Sequence, residues 1–172
     1  MLQQDRDAFD AFVRARLPHL LRLGRALTGS EHAAADLVQD ALERSLMRWS
    51  RIESDDPEGY VRRVMVTRNI SAWRRVRRER LIADVPETSY DDPQADPALW
   101  AALAKLPPRQ RAVIALRYYE DLTEAQTAQL LGVSAGTVKS QASRAMARLR
   151  ELLAEDAGAA GAAGHANERG GA

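Results

Sequence analysis

Apolar residues recur at three- and four-residue spacing through most of the chain, and the strict alternation of a half-buried strand is rare, so nearly every periodic stretch predicts a helix. From Asp7 to Leu27 the stripe is Phe9, Phe12, Val13, Leu17, Leu20, Leu21 and Leu27, interrupted by Pro18. A proline in a helix interior removes a hydrogen bond and crowds the preceding turn, so two short helices are expected there. Thr28-Gly29-Ser30 ends the second, and Ser30 caps the next, with Glu31 in a first turn where the helix dipole favours a carboxylate. That helix is expected to reach about Trp49, with Ala34, Leu37, Val38, Ala41, Leu42, Ser45 and Leu46 on one side. A polar loop, Arg51 to Asp56, precedes Asp56-Pro57-Glu58, which combines an N-cap, a proline at the first position and a first-turn carboxylate. The helix that follows should run to about Arg80 and bury Val61, Val64, Met65, Ile70 and Trp73.

Helical patterning resumes near Pro97, over Pro97–Lys105, Pro108–Tyr119, Thr123–Leu131 and Ala135–Leu153. The fold expected is all-α: two small helical domains, residues 1–80 and 97–154, joined by a flexible linker over 81–96. A tail over 155–172, rich in Gly and Ala, has too little apolar surface to offset its chain entropy and is expected to be disordered.

Charge sharpens that division. The net charge of the 172 residues is only +1, yet Tyr60 to Arg80 holds eight arginines against one acid, Glu79. Leu81 to Trp100 holds five acids, no base, and Pro86, Pro93 and Pro97, so it reads as an acidic linker able to screen the adjacent basic helix. The absence of cysteine excludes disulfides, thiolate metal sites and thiol nucleophiles, and His19, His32 and His165 form no ligand pair at helical spacing. No metal, cofactor or small-molecule substrate is expected. No stretch is long and apolar enough to insert in a membrane, and Met1-Leu2-Gln3-Gln4-Asp5 is unlike a secretory signal, so the expected location is cytoplasmic.

Two segments carry candidate chemistry. Thr123-Glu124-Ala125-Gln126 is a capping box, and Gly132 in Leu131-Gly132-Val133-Ser134 suits a left-handed helix terminus. Together with Ala128 and Val138 this is the spacing of a helix-turn-helix. On its second helix Val138, Ala142, Ala145 and Leu149 must pack inward, which leaves Ser134, Gly136, Thr137, Lys139, Ser140, Ser143, Ala147, Arg144 and Arg148 at the start and on the outer side. Small residues permit close approach to a major groove, while hydroxyls and cations meet base edges and phosphates. Late on the helix, Arg148 and Arg150 suit phosphates. In the basic helix, Tyr60, Asn69 and Trp73 are interleaved with Arg62, Arg63, Arg68, Arg74, Arg75, Arg77, Arg78 and Arg80. Rings beside cations suit single-stranded nucleic acid; a solvated charged helix with Trp73 in the core gives the same pattern.

These residues resemble a sigma factor of the sigma-70 family, in its extracytoplasmic-function group. Two motifs carry the resemblance, which covers about Asp7 to Leu153. The first is Asp36-Leu37-Val38-Gln39-Asp40-Ala41-Leu42, followed by Arg44 and Trp49. The second runs from Leu106-Pro107-Pro108-Arg109-Gln110-Arg111 through Leu116-Arg117-Tyr118-Tyr119-Glu120-Asp121-Leu122-Thr123 and Leu130-Leu131-Gly132-Val133-Ser134 to Gly136-Thr137-Val138-Lys139-Ser140. The resemblance implies a non-catalytic subunit that binds core RNA polymerase, recognises the −35 and −10 promoter elements and promotes melting. Asp36, Leu37, Val38, Gln39, Asp40 and Arg44 would then bind core polymerase. Tyr60, Arg62, Arg63, Arg68, Asn69, Trp73, Arg74, Arg75 and Arg77 would meet the −10 element. The loop Arg51–Asp56 would capture a flipped base, with Asn69 assisting, and Leu106, Val113 and Ile114 would lie near the surface meeting the polymerase flap. Members of the group often have an anti-sigma factor, a further partner the resemblance implies. The chain departs from the common pattern at Gln141-Ala142, where many members have arginine after Lys-Ser, and at Tyr60-Val61, where many have Trp-Leu. A conventional transcriptional regulator sharing only the helix-turn-helix is a second reading, opposed by an N-terminal half with an Arg-rich helix and no ligand-pocket signature; a helical adaptor that binds proteins only, its basic helix merely solvated, is a third.

Overall fold

The computed structural model describes residues 3–52, 55–78 and 96–167. The expected linker therefore lies outside the described residues, apart from Asp96, as do Glu53, Ser54, Glu79 and Arg80. The described elements are helical throughout: α1 (Gln3–Thr28), α2 (Glu31–Leu46), α3 (Trp49–Ile52), α4 (Pro57–Arg78), α5 (Pro97–Lys105), α6 (Pro108–Ile114), α7 (Glu124–Leu131) and α8 (Ala135–Asn167), with a π turn over Ala115–Tyr119.

Three boundaries differ from those the sequence predicts. Pro18 lies inside α1 without ending it. Proline in a helix costs about 3 kcal/mol, but Pro18 is on the exposed side while Leu20, Leu23 and Leu27 beyond it are fully buried. Each such burial contributes roughly 1.5–3 kcal/mol, so the stripe outweighs the lost bond. Next, α2 stops at Leu46, and Trp49 opens a separate short helix. Its indole packs edge-on to Phe9 at 5.1 Å and against Phe12 at 5.2 Å, which turns the chain back onto α1. Finally, α8 continues to Asn167, through most of the tail expected to be disordered. Alanine is the best helix former, and extension of an existing helix needs no new nucleus.

Local chemistry sets the remaining ends. Ser30 accepts from Ala33 N, Asp56 from Gly59 N at 2.9 Å, and Asp96 from Ala98 N at 3.0 Å, each satisfying a donor that the first helical turn leaves without a partner. The N-terminal helices α1, α2 and α4 enclose Leu20, Leu23, Leu27, Val38, Ala41, Val61, Met65 and Val66. That cluster continues into Ala112, Ala115, Leu116 and Leu122, so the two halves of the chain share a core. Smaller clusters lie within the C-terminal half: Leu103, Leu106, Ile114, Ala145, Leu149 and Leu152 in one, Val113, Ala128 and Val138 in the other. The π turn, with Glu120 N bonded to Ala115 O, adds a residue to the turn and brings Tyr119 and Glu120 against α1.

Candidate nucleic-acid interface

The helix-turn-helix is built by bonds within its own segment. Thr123 Oγ1 accepts from Gln126 N at 3.1 Å, and Gln126 Oε1 accepts from Thr123 N at 2.9 Å, which closes the capping box. Gly132 takes φ +65°, where a side chain would be strained, and reverses the chain toward α8. Ser134 Oγ accepts from Thr137 N at 3.1 Å and meets Thr137 Oγ1 at 2.9 Å, so Ser134 is the N-cap of α8. Val138, Ala145 and Leu149 are buried, and Ala142 and Val133 pack on the Val113–Ala128–Val138 cluster. At 100° per residue this leaves Gly136, Lys139, Ser143 and Ala147 outward, and all four are exposed, as are Arg144 and Arg148. Ser140 is half-buried and donates to Thr137 O. Arg148 pairs with Glu151 at 2.9 Å on the surface.

The basic helix α4 divides its cations. Arg63, Arg74 and Arg75 are exposed, whereas Arg68 donates to Asp40 Oδ2 at 2.6 Å and Arg62 to Glu120 Oε2 at 2.7 Å. Trp73 is half-buried, with the guanidinium carbons of Arg74 and Arg109 5.8 and 5.2 Å from its ring centre. The side chain of Arg77 lies outside the described residues. Asn69 is only 7% exposed, with its amide 3.5 Å from Leu27 O. That corrects its expected contact with nucleic acid: it is an internal group under α1.

Between the end of α2 and the start of α4 lies an open groove lined by Arg44, Arg48, Arg63 and Arg68, with Tyr60 and Met47 among them. Arg48 Nη1 reaches Tyr60 Oη at 3.4 Å. Met47 and Arg48 are absent from the residues the sequence points to. They lie where the sequence predicts an uninterrupted helix, and the turn there aims them into the groove.

On α2, Asp36, Gln39, Glu43 and Arg44 are exposed on the side opposite Ala34, Val38, Ala41 and Ser45, which are buried. Leu37 is half-buried against the core. Val38, expected to touch polymerase, is 2% exposed and packs inward instead. Asp40 is held by Arg44 at 3.0 Å as well as by Arg68, which ties this surface to α4. Leu106, Val113 and Ile114, expected near a partner surface, are buried too, because they supply the small C-terminal cores.

The Sigma-70 region 2 model matches residues 12–79, and the Sigma-70, region 4 model matches residues 97–149. The chain is 43% identical over 155 residues to the RNA polymerase sigma-E factor of Streptomyces coelicolor, across 86% of this chain and 88% of that protein. It is 32% identical over 154 residues to the ECF RNA polymerase sigma factor SigM of Mycobacterium tuberculosis, across 87% of this chain and 79% of that one. Among solved structures it is similar to the sigma factor RpoE in complex with the anti-sigma factor NepR from Bartonella quintana, with a TM-score of 0.67, 27% identity, and coverage of 84% of this chain and 96% of that chain. Both regions occur in order, one on α1–α4 and the other on α5–α8, and with relatives of this identity along most of their length the chain belongs to the sigma-70 family as an extracytoplasmic-function sigma factor, a non-catalytic initiation subunit of RNA polymerase.

Proposed function

We propose that this sigma factor grips a promoter at two points. The α8 helix enters the major groove of the −35 element, and α4 meets the −10 element and favours its opening. The observation that carries the reading is the outward face of α8. Gly136 and Ser143 let the helix approach, Lys139 and Arg144 reach base edges, and Arg148 takes a phosphate in place of Glu151. On α4, Arg63, Arg74 and Arg75 follow the backbone of the separated strand. Tyr60 in its arginine-lined groove and Trp73 offer rings to unstacked bases. Extrusion of a base costs a few kcal/mol, which these contacts offset.

The exposed side of α2, with Asp36, Gln39 and Arg44, docks core polymerase, and the protein acts where that polymerase is. An anti-sigma factor is a further partner, supported by the similarity to a sigma factor solved with one.

Reconstitution tests the reading. Purified protein with core polymerase should start transcription at a defined position on duplex DNA selected by the holoenzyme. Sequence-specific DNA binding without initiation would instead identify a conventional regulator.

A further inference from the structure

We propose that the arginine-lined groove between the end of α2 and the start of α4 selects the base it takes. It accepts a base with a ring keto oxygen, guanine or thymine, and rejects one with an amino group in its place, adenine or cytosine. The inference rests on the reading of Tyr60 given above, as a ring for an unstacked base, and adds what the groove asks of that base.

The polar lining consists almost entirely of donors. Arg44, Arg48, Arg63 and Arg68 line the groove, and a guanidinium has five N–H donors and no acceptor. Asp40 takes the Nε of Arg44 at 3.0 Å and the Nε of Arg68 at 2.6 Å from outside the lining. That anchors both side chains and leaves their terminal nitrogens as donors. Two hydroxyls complete the polar lining: Tyr60 Oη accepts from Arg48 Nη1 at 3.4 Å, and Thr67 Oγ1 donates to Arg63 O at 2.8 Å. Among the described residues no carboxylate or amide side chain lines the groove.

The contact between Arg48 and the phenol places a guanidinium at the rim of the Tyr60 ring, so a base laid on that ring turns an edge toward the cation. Met47, 78% exposed, adds a thioether to the same lining, and thioethers pack well against rings. An acidic peptide would satisfy the arginines but has no use for the ring and the thioether. A nucleotide uses all of them, its phosphates on cations and its base on the apolar surfaces.

The base edges then decide. Guanine presents O6 and N7 side by side, two acceptors for one guanidinium, and thymine presents O4. Adenine and cytosine carry an amino group at the corresponding position, so donor meets donor and both lose water without gaining a partner.

The test uses the protein reconstituted with core polymerase and a short labelled DNA strand that is abasic except at one position. There hypoxanthine is compared with adenine, and uracil with cytosine, pairs that differ in keto against amino. Fluorescence anisotropy should show the keto member of each pair bound at least about fivefold more tightly, the discrimination a well-placed guanidinium supplies. Arg48→Gln offers an acceptor beside a donor, a combination that suits adenine, and should bring the hypoxanthine-to-adenine ratio to about one. Arg63→Gln should lower the same ratio. Arg14→Gln makes the same charge change at an exposed position of α1 and should leave both ratios in place. Far-UV circular dichroism checks that each variant keeps its helices.

Equal or reversed binding within either pair overturns the selection, and so does a ratio that survives both Arg48→Gln and Arg63→Gln. If base-bearing strands bind more tightly than a fully abasic one but all alike, the reading of Tyr60 stands and only the selection fails. If they bind no more tightly than the abasic strand, the reading of Tyr60 fails as well, and an acidic protein segment is the occupant that the arginines then fit.

Discussion

The Arg111 Nε donates to the main-chain carbonyl of Leu27 at 3.0 Å, joining two residues 84 apart at the C-terminal end of α1. The same guanidinium donates to Ala104 O at 3.0 Å and Leu106 O at 3.2 Å. Burial lowers its pKa below the ordinary value, and these carbonyls, with the negative end of the α1 dipole, hold the cation in place. Gly29 makes the approach available: at φ +77°, a Cβ there would stand 2.7 Å from Arg111 Nη1.

Arg111→Met keeps an apolar stem of similar length and leaves these carbonyls without their donor. Unsatisfied buried groups cost about 1–3 kcal/mol each before relaxation, so a net loss of about 2–4 kcal/mol is expected, read as a lower urea midpoint. Gly29→Ala should destabilise in the same direction by strain and collision. If Arg111→Met leaves the midpoint in place, this side chain does not bolt the halves together.

Gly132 isolates backbone strain from packing. It has φ +65°, and a Cβ built there meets nothing within 4 Å. Gly132→Ala should therefore cost about 1–2 kcal/mol from the left-handed conformation alone. Gly132→Asn should cost less, since asparagine tolerates that region better. Thermal melts of the two variants would give the order; a larger loss for Asn would contradict it.

Base readers and phosphate clamps on α8 should separate by salt and sequence. Lys139→Ala or Arg144→Ala is expected to cost about 1–3 kcal/mol on the preferred −35 sequence and to relax preference at one position. Arg148→Ala should weaken binding evenly across sequences and reduce the salt slope by about one. The Arg148–Glu151 pair must open first, so Glu151→Ala should tighten binding slightly. Fluorescence anisotropy over a salt series distinguishes the two kinds of residue, and identical behaviour of all three cations would contradict the division.

Asp40→Ala should weaken the complex with core polymerase and also free Arg44 and Arg68. Partly exposed pairs contribute little, about 0–1 kcal/mol, so the fold should survive with a small fall in melting temperature. Asp36→Ala removes a carboxylate that is 71% exposed and lies 3.7 Å from His32. It should reduce polymerase affinity with no measurable change in stability. Titration of labelled core polymerase with each variant checks both, and normal affinity for the two variants would remove α2 from the docking surface.

Helix ends and the helix-turn-helix were legible because short-range rules govern them. Thr123, Gln126, Gly132 and Ser134 act on neighbours within a few residues, and the inward spacing of Val138, Ala145 and Leu149 is a property of one helix. The Pro18 break was misread because the local cost of proline is visible in the sequence and the burial that offsets it is not. The same limit applies to Asn69, whose residue type suits a surface or a core alike.

The order and type of the elements, the cap residues, the charge split and the two family motifs were therefore determined by sequence alone, each arising from residues close in the chain. Tertiary packing decided which arginines of α4 are held by residues distant in the chain. Arg63, Arg74 and Arg75 face solvent, while Arg62 is taken by Glu120, 58 residues away. Eight arginines in one run look equivalent in sequence, because each guanidinium has the same charge and reach. What distinguishes them is which face of α4 meets the other half of the chain, and that is set by the shared core formed by Leu27, Met65, Ala112 and Leu116.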